Sequence, residues 1–516
     1  MSSSLWNASI ASLKRLTPAQ SSWFWLAAGV LLLPFTAWQT VVPIAGWLAP
    51  IVLLRFSRTA RPKWLAQRLL FLVCAGSILI GNRGMPFSLL GLIGNVVVKG
   101  LAWSLVYAAD RWLSGRLKGW LRTLAFPLSF ATMEWALSFT PIANSGSPAY
   151  SQTGSLALLQ LLSVTGLWGV TFLITWCASV ANELWERGSD WRSARGLAVA
   201  FVAALLVVFL AGGARLAFAP SPSRTVAAAT VTGTAATIEA ATKPIDWLRG
   251  NWSTEAQRAA LRPGFSRTVD QMLARTETAL EGGATLVAWQ ESAAWVLVED
   301  QRAVIDRAAA LARGKGAYLA LSMEVLTGAS KLPVLRNEAI LVGPAGSVLW
   351  IYDKQDPNPY DEAFATIRGR ETLPLADTPF GRLSTAICYD TYYPALVRQA
   401  GRRDADVLVE PANDSKPFAE SAAEMATYRC IENGFSMLRP TGNGISAMID
   451  RQGRFLARQV SSTDDGGVMM ASLPVLGRPT IYSRIGDAFP CAGAAALAAL
   501  VVATLLRRKS SLDAPR

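Results

Sequence analysis

The sequence predicts a multi-pass α-helical membrane bundle of about eight spans, joined to an extracytoplasmic α/β domain that interrupts the bundle before its last helix. Three observations carry this prediction. Hydrophobic residues make up 52% of the 516, and mean hydropathy is +0.30, both above the level of an ordinary soluble chain. Apolar runs approaching the ~20 residues that cross a bilayer crowd the first 217 positions and recur near the end. Between them, residues 220–480 alternate short β-type runs with amphipathic helical patterns, as a soluble α/β domain does.

The apolar runs fall near 22–38, 41–55, 68–84, 88–109, 120–139, 156–180, 196–217 and 487–506. The second is short and contains Pro43 and Pro50, which leaves a re-entrant segment as its alternative. The first lacks a small-residue cleavage site and is followed by more spans, so it reads as retained. With a cytoplasmic N-terminus, the loops at 55–63, 111–122 and 186–195 and the tail Arg507-Arg508-Lys509 carry the Lys and Arg. The opposite loops near 39–40, 82–87 and 140–155 hold only Arg83. That asymmetry orients all the spans in one sense and sets the α/β domain outside the cytoplasm. The expected organisation is a bundle over 1–217, the α/β domain over 218–486, and a last span with a basic tail over 487–516.

Within the domain, strands are expected at 226–231, 285–289, 317–321, 337–342, 383–388, 406–409 and 444–449, and helices at 254–281, 299–313 and 417–433. The Ala/Thr-rich stretch 226–242 reads as a strand followed by a mobile connector. Two ionisable residues fall inside spans: Lys99, near the middle of 88–109, and Glu134, within 120–139. Groups at such depth normally face the protein interior and find partners, and a Lys99–Glu134 pair holding neighbouring helices together is the expected arrangement. Tryptophans such as Trp23, Trp25 and Trp38 bracket a span as interfacial anchors.

Charge and composition exclude several chemistries. The excess of 49 Lys and Arg over 36 Asp and Glu collects at the ends of apolar runs, a membrane pattern and not a nucleic-acid one. No histidine occurs anywhere, so Ser-His-Asp and Cys-His catalysis and His-ligated metals are ruled out. The five cysteines form no CxxC motif and suggest neither a zinc site nor a disulfide framework. No metal or cofactor is implied.

Three reactive residues stand where apolar runs stop: Glu291 in LVAWQES, Lys354 in VLWIYDKQDPNPYDE, and Cys388 in AICYD. Loops at strand ends are where α/β domains hold ligands. Taken singly, Glu291 reads as a carboxylate favoured by a helix N-terminus, Lys354 as a solvated turn lysine, and Cys388 as a small core thiol. Together they make a complete acyl-transfer set. A carboxylate takes the thiol proton, a thiolate attacks a carbonyl, and an ammonium stabilises the thiolate and the oxyanion.

The order Glu…Lys…Cys in these contexts resembles the nitrilase, or carbon–nitrogen hydrolase, superfamily. With Glu134 of ATMEWALSF and the run LLQLLSVTGLWGVTFLI, the chain resembles that superfamily's membrane-embedded branch, the apolipoprotein N-acyltransferases, over nearly its whole length. The resemblance implies an αββα sandwich on the outer face of a bacterial inner membrane, acting as a monomer. It implies Glu291 as general base, Lys354 as oxyanion stabiliser and Cys388 as the nucleophile that becomes a thioester. Glu362, Tyr389, Asp390 and Asn413 are then expected to position substrate, and Tyr392 and Tyr393 to line an acyl pocket, although packing alone would also place the two tyrosines. A phospholipid is the implied acyl donor, and the amine of a diacylglyceryl-cysteine on a lipoprotein the acceptor. The chain departs from the family pattern at Asp390, where Glu usually follows Cys-Tyr, at Ser415-Lys416-Pro417-Phe418, and at Phe139-Thr140-Pro141-Ile142-Ala143-Asn144. A membrane-tethered amidase, an acyltransferase with another amine acceptor, and a non-catalytic lipid- or protein-binding homologue are the competing readings; the intact Glu-Lys-Cys set counts against the last.

Overall fold

The structure is a computed structural model that describes residues 18–85, 88–220, 224–247, 249–360, 362–370, 372–461 and 466–512. The side chains of the predicted basic tail Arg507-Arg508-Lys509, loop positions 86–87 and Asp361 of the NPYDE segment lie outside the described residues.

Every predicted span contains a helix. In order, the long ones are Pro18–Leu32, Pro43–Thr59, Lys63–Gly81, Leu89–Ser114, Trp120–Leu137, Leu167–Arg187, Arg195–Ala217 and Ala488–Leu512. Among the described residues, five helical stretches are long and apolar enough to cross a membrane: Lys63–Gly81, Leu89–Ser114, Leu167–Arg187, Asp190–Ala217 and Ala488–Leu506. From Pro43 onward the segment 41–55 lies in one continuous helix, Pro43–Thr59, that keeps Pro50 inside it, as against the re-entrant alternative. The expected span 156–180 is broken instead. Two short turns, Leu156–Leu159 and Leu162–Thr165, precede Gly166 at φ 63°, and the long helix starts only at Leu167. A positive φ that glycine accepts without cost lets the chain reverse there. The turn brings the Leu167 N–H to the Glu432 carboxylate of the α/β domain at 3.0 Å, where the helix dipole favours the negative charge.

Lys99 and Glu134 are both buried but do not form the expected ion pair. Lys99 Nζ donates to Ser145 Oγ at 2.6 Å and to the Ser145 carbonyl, and lies over the Trp38 ring at 4.5 Å. Glu134 Oε2 accepts from Thr171 Oγ1 at 2.7 Å and Ser147 Oγ at 3.1 Å. The loop 145–147 lies between the two charges and gives each a neutral partner. Both ions therefore hold that loop.

In the α/β domain, one sheet runs in the order Gly467–Pro474, Thr225–Thr232, Leu286–Trp289, Tyr318–Leu326, Leu335–Val342, Val348–Asp353, with Ala294–Leu297 pairing beside Tyr318–Leu326. The other runs Phe455–Val460, Ile445–Ile449, Ser436–Arg439, Val407–Val409, Gly381–Thr385, Leu375–Thr378. Alternation along a strand sends neighbours to opposite faces. Leu286 and Ala288 join the core between the sheets with Leu383, Val407 and Met437, whereas Val287 and Trp289 pack under the helices Glu255–Glu281 and Gln301–Lys315. The second sheet is covered by Pro394–Arg402 and Ala419–Asn433, giving the expected αββα order. The stretch after Thr232 differs from the expected connector, because Ala235–Thr242 is a helix capped by Thr234.

Helix Ala419–Asn433 serves two partners. Its Ala426 and Cys430 face the sheet core, and its Tyr428 and Ile431 pack with Trp168 and Tyr150 of the bundle. Tyr428 donates to the Ala149 carbonyl at 2.9 Å, and the Ser88 N–H to the Tyr360 carbonyl at 3.0 Å, so the domain is hydrogen-bonded to one end of the bundle.

Inside the bundle, Gly212 is required by close approach: a Cβ there would stand 1.9 Å from the Ala157 carbonyl oxygen, whereas one on Gly213 would meet open space. Gly212→Ala is expected to lower stability by about 1–3 kcal/mol by overpacking against backbone. Thermal unfolding in detergent would check this, with Gly213→Ala expected to match the parent; equal melting of the two variants would contradict the packing role.

Candidate active site

The domain's topology gathers reactive groups at one end of the first sheet. Strands Leu286–Trp289 and Tyr318–Leu326 are parallel, and Val348–Asp353 shares their direction because it is antiparallel to Leu335–Val342, which is itself antiparallel to Tyr318–Leu326. Glu291, Glu324 and Lys354 therefore stand at the same carboxyl end. Asn337, near the start of the strand running the other way, arrives at that end too: it pairs with Glu324, and its carbonyl accepts from Lys354 N at 2.9 Å.

The side chains converge. Lys354 Nζ donates to Glu291 Oε1 at 2.7 Å and to Glu362 Oε2 at 2.5 Å. Asn337 Nδ2 donates to the same Glu291 oxygen at 2.9 Å and to the other Glu362 oxygen at 3.0 Å. The Asn358 N–H also reaches Glu362, at 3.0 Å. Asn337 was not singled out from the sequence, because an asparagine inside a strand has no spacing signature.

Cys388 comes from the second sheet. The expected strand 383–388 stops at Thr385, and Cys388 opens the short turn Cys388–Tyr392 with φ 46°. A non-glycine residue in that region is strained and is held only when its surroundings fix it. Four hydrogen bonds do so. The Cys388 N–H donates to the Pro411 carbonyl at 2.9 Å. Asp390 Oδ2 accepts from Ile387 N at 3.0 Å and Tyr352 Oη at 2.8 Å, and its Oδ1 from Asp356 N at 2.8 Å. Expected to position substrate, Asp390 lies fully buried outside the cavities at Cys388 and braces the turn. The shorter carboxylate leaves no unpaired oxygen there.

Burial pushes the Cys388 thiol well above the usual thiol range, and the Glu291 charge adds to this while Lys354 opposes it. Burial likewise raises Glu291, against the pull of Lys354. Burial would depress Lys354, but Glu291 and then Glu362 outweigh it and hold the ammonium charged. The thiol thus rests protonated, with the Glu291 carboxylate and the Lys354 cation both close enough to act on it. The arrangement suits proton transfer to the carboxylate as the sulfur attacks.

Two cavities meet at Cys388. One, of about 670 Å³, opens toward the bundle between Trp38, Met85, Tyr360, Tyr389, Tyr392 and Phe418. Tyr389 stacks on Tyr392 with ring centroids 4.6 Å apart and donates to the Pro141 carbonyl at 3.0 Å. Tyr393 touches Tyr389 edge-on and is not among the lining residues. The other, of about 790 Å³, is lined by Glu291, Glu324, Lys354, Glu362, Trp247 and Phe364. Asn413 borders both. Its loop is held by Arg439, buried between Asp414 at 3.0 Å and Glu410 at 3.3 Å. Glu324, Arg439, Glu410 and Trp247 had no motif to mark them.

Residues 256–479 match the carbon–nitrogen hydrolase family, which defines the α/β domain as a member of that class. The apolipoprotein N-acyltransferase of Bradyrhizobium diazoefficiens is 27% identical over 472 residues, 82% of this chain and 79% of that one, and that of Caulobacter vibrioides is 27% identical over 439, 78% and 76%. A deaminated glutathione amidase of Synechocystis sp. is 27% identical over 204 residues, 36% of this chain and 74% of that one. The match to these N-acyltransferases covers about four fifths of the chain and so extends beyond the α/β domain into the bundle, making the chain similar to them over most of its length.

Two outcomes are expected at this site. Because Glu291 must be ionised to take the thiol proton, and its affinity for protons is raised, alkylation of Cys388 should climb with pH through a value above the usual carboxylate range. Glu291→Gln should remove that limb and slow the reaction at neutral pH by roughly 10²-fold; an unchanged pH profile by rapid-quench mass spectrometry would refute the assignment. Asp390→Asn turns an amide NH₂ toward groups that are themselves donors and should cost about 1–3 kcal/mol in thermal stability while slowing the same alkylation.

Proposed function

We propose that this protein transfers an acyl chain from a phospholipid, through a thioester on Cys388, to the α-amine of a diacylglyceryl-cysteine at the N-terminus of a bacterial apolipoprotein. The single observation that carries the reading is that Cys388 stands where an aromatic cavity reaching the bundle meets a carboxylate-lined cavity opening elsewhere. A ping-pong acyltransferase needs access for two substrates to one sulfur.

In the first half-reaction, Glu291 takes the thiol proton and the Cys388 sulfur attacks the ester carbonyl of the lipid. The Lys354 ammonium stabilises the resulting oxyanion. Collapse breaks the ester C–O bond, Glu291 returns the proton to the departing alkoxide, and lysophospholipid leaves. In the second, the acceptor amine attacks the thioester carbonyl, gives its proton to Glu291, and displaces the sulfur, which regains that proton as an amide forms. Glu362 and Asn337 hold Lys354 and Glu291 in register. Asn413 and Tyr389 border the reacting centre, and Tyr392 lines the donor side.

In this reading the chain divides at 218 and 486 into bundle, catalytic domain and last helix. All eight helical segments traverse the bacterial inner membrane, the catalytic domain faces the periplasm, and the protein works as a monomer. The excess of Lys and Arg on one set of loops supports that orientation.

Incubation with phospholipid carrying a labelled acyl chain should add one acyl mass to Cys388, labile to hydroxylamine and missing in Cys388→Ala. A chase with a diacylglyceryl-cysteine lipopeptide should discharge it into the peptide amide. Release only as free fatty acid would favour an amidase-like hydrolase, discharge only to another amine a different acceptor, and no adduct would overturn the reading.

A further inference from the structure

A separate cleft of about 970 Å³ opens at the junction of bundle and domain, and it shares no lining residue with either cavity at Cys388. Arg215, Arg451 and Arg478 line it, with Gln452 and Thr480 between them. Arg215 lies in the last turn of Arg195–Ala217, Arg451 in the turn after Ile445–Ile449, and Arg478 in the segment leading to the final helix. The fold thus brings three guanidinium groups together from distant parts of the chain.

The partners of Arg215 and Arg451 are neutral. Arg215 Nη1 donates to Gln160 Oε1 at 2.9 Å, and Arg451 donates to the carbonyls of Leu476 at 3.1 Å and Pro220 at 3.4 Å. Asp450 is the adjacent acid, but its Oδ1 accepts from the backbone N–H groups of Gln452 and Arg454, at 2.8 and 2.9 Å, and its Oδ2 faces Arg454 at 4.0 Å. Arg451 is held below the usual arginine range by burial and then by the charge of Arg478, with Asp450 opposing. Like charges gathered beside neutral partners repel one another, and a bound anion relieves that repulsion.

The rim indicates where the anion comes from. Phe218 is 85% exposed, Ile481 55% and Val164 40%, all lining the same cleft. The cleft lies where the apolar helix Asp190–Ala217 ends and shortly before Ala488–Leu506 begins, two helices that are long and apolar enough to cross a membrane. In a bilayer crossed by these two helices, as the proposed function has it, that is the level of lipid headgroups, with exposed apolar side chains placed to meet acyl chains. We propose that this cleft binds the phosphate of an anionic phospholipid, its oxygens on Arg215, Arg451 and Arg478 and its chains along Phe218 and Ile481, as a lipid site separate from the catalytic cysteine.

The test uses the full-length protein in mixed micelles with equimolar phosphatidylglycerol and phosphatidylcholine, reading retained lipid by native mass spectrometry. The parent should keep phosphatidylglycerol in preference to phosphatidylcholine, and Arg451→Gln/Arg478→Gln should lower that preference roughly 10-fold. Arg484→Gln, which removes a surface pair with Asp404 away from the cleft, should leave it unchanged. Since a double variant can misfold, phenylglyoxal footprinting of the parent protein gives a second reading: phosphatidylglycerol should protect Arg451 and Arg478, and phosphatidylcholine should not. Equal protection by inorganic phosphate at the same concentration would make the site one for a free anion and overturn the lipid assignment. No protection, or undiminished lipid preference in a folded double variant, would overturn the site itself.

Discussion

The ammonium of Lys354 lies between the buried carboxylate of Glu291 and the half-buried one of Glu362, and the rest of the candidate site depends on that contact. Withdrawing a charge from water costs several kcal/mol unless a partner of opposite sign and further hydrogen bonds replace the solvent. Glu291 and Glu362 supply the partners for Lys354, and Asn337 adds a donor to each carboxylate. Removing Lys354 would leave both carboxylates without a counter-charge, and removing Asn337 would take a hydrogen bond from each. The same mutual dependence keeps a carboxylate and a cation beside the Cys388 sulfur, the two groups that the proposed acyl transfer uses in place of a histidine.

The bundle is part of the site as well as its anchor. Its Trp38 and Met85 form one wall of the cavity that reaches Cys388. Tyr389, Tyr360 and Tyr392 of the domain each exchange a hydrogen bond with bundle backbone, through Pro141, Ser88 and Asn144 respectively. Lys99 and Glu134, buried on different helices, hold the loop between them through Ser145 and Ser147. Polar groups at such depth cost free energy and persist where they fix a local shape. Here they fix the loop that borders the aromatic cavity.

Much of the outline was legible before the fold was known. Apolar runs marked the helices because length and composition suffice for that, and the strand Leu286–Trp289 and the last half of Leu335–Val342 were marked by short apolar runs that are fully buried. Edge strands such as Phe455–Val460 and Gly467–Pro474 were missed, since half-exposed strands with mixed composition carry a weak period. The break at Gly166 was hidden inside an unbroken apolar stretch, where only a backbone angle separates one helix from three pieces. Lys99 and Glu134 were expected to pair because opposite charges in apolar helices usually do. The intervening loop, which supplies neutral partners, could not be inferred from their spacing.

By itself the sequence determined the two-part architecture, the exclusion of histidine chemistry, and the three reactive residue types at strand ends, because those follow from composition, period and motif. Only the tertiary structure decided that Asn337 joins Glu291 to Glu362, that Asp390 braces the Cys388 turn, and that two cavities meet at one sulfur. Each depends on which strand lies beside which and on how the domain seats against the bundle. Contacts between residues remote in the chain are set by packing, and packing leaves no local signature.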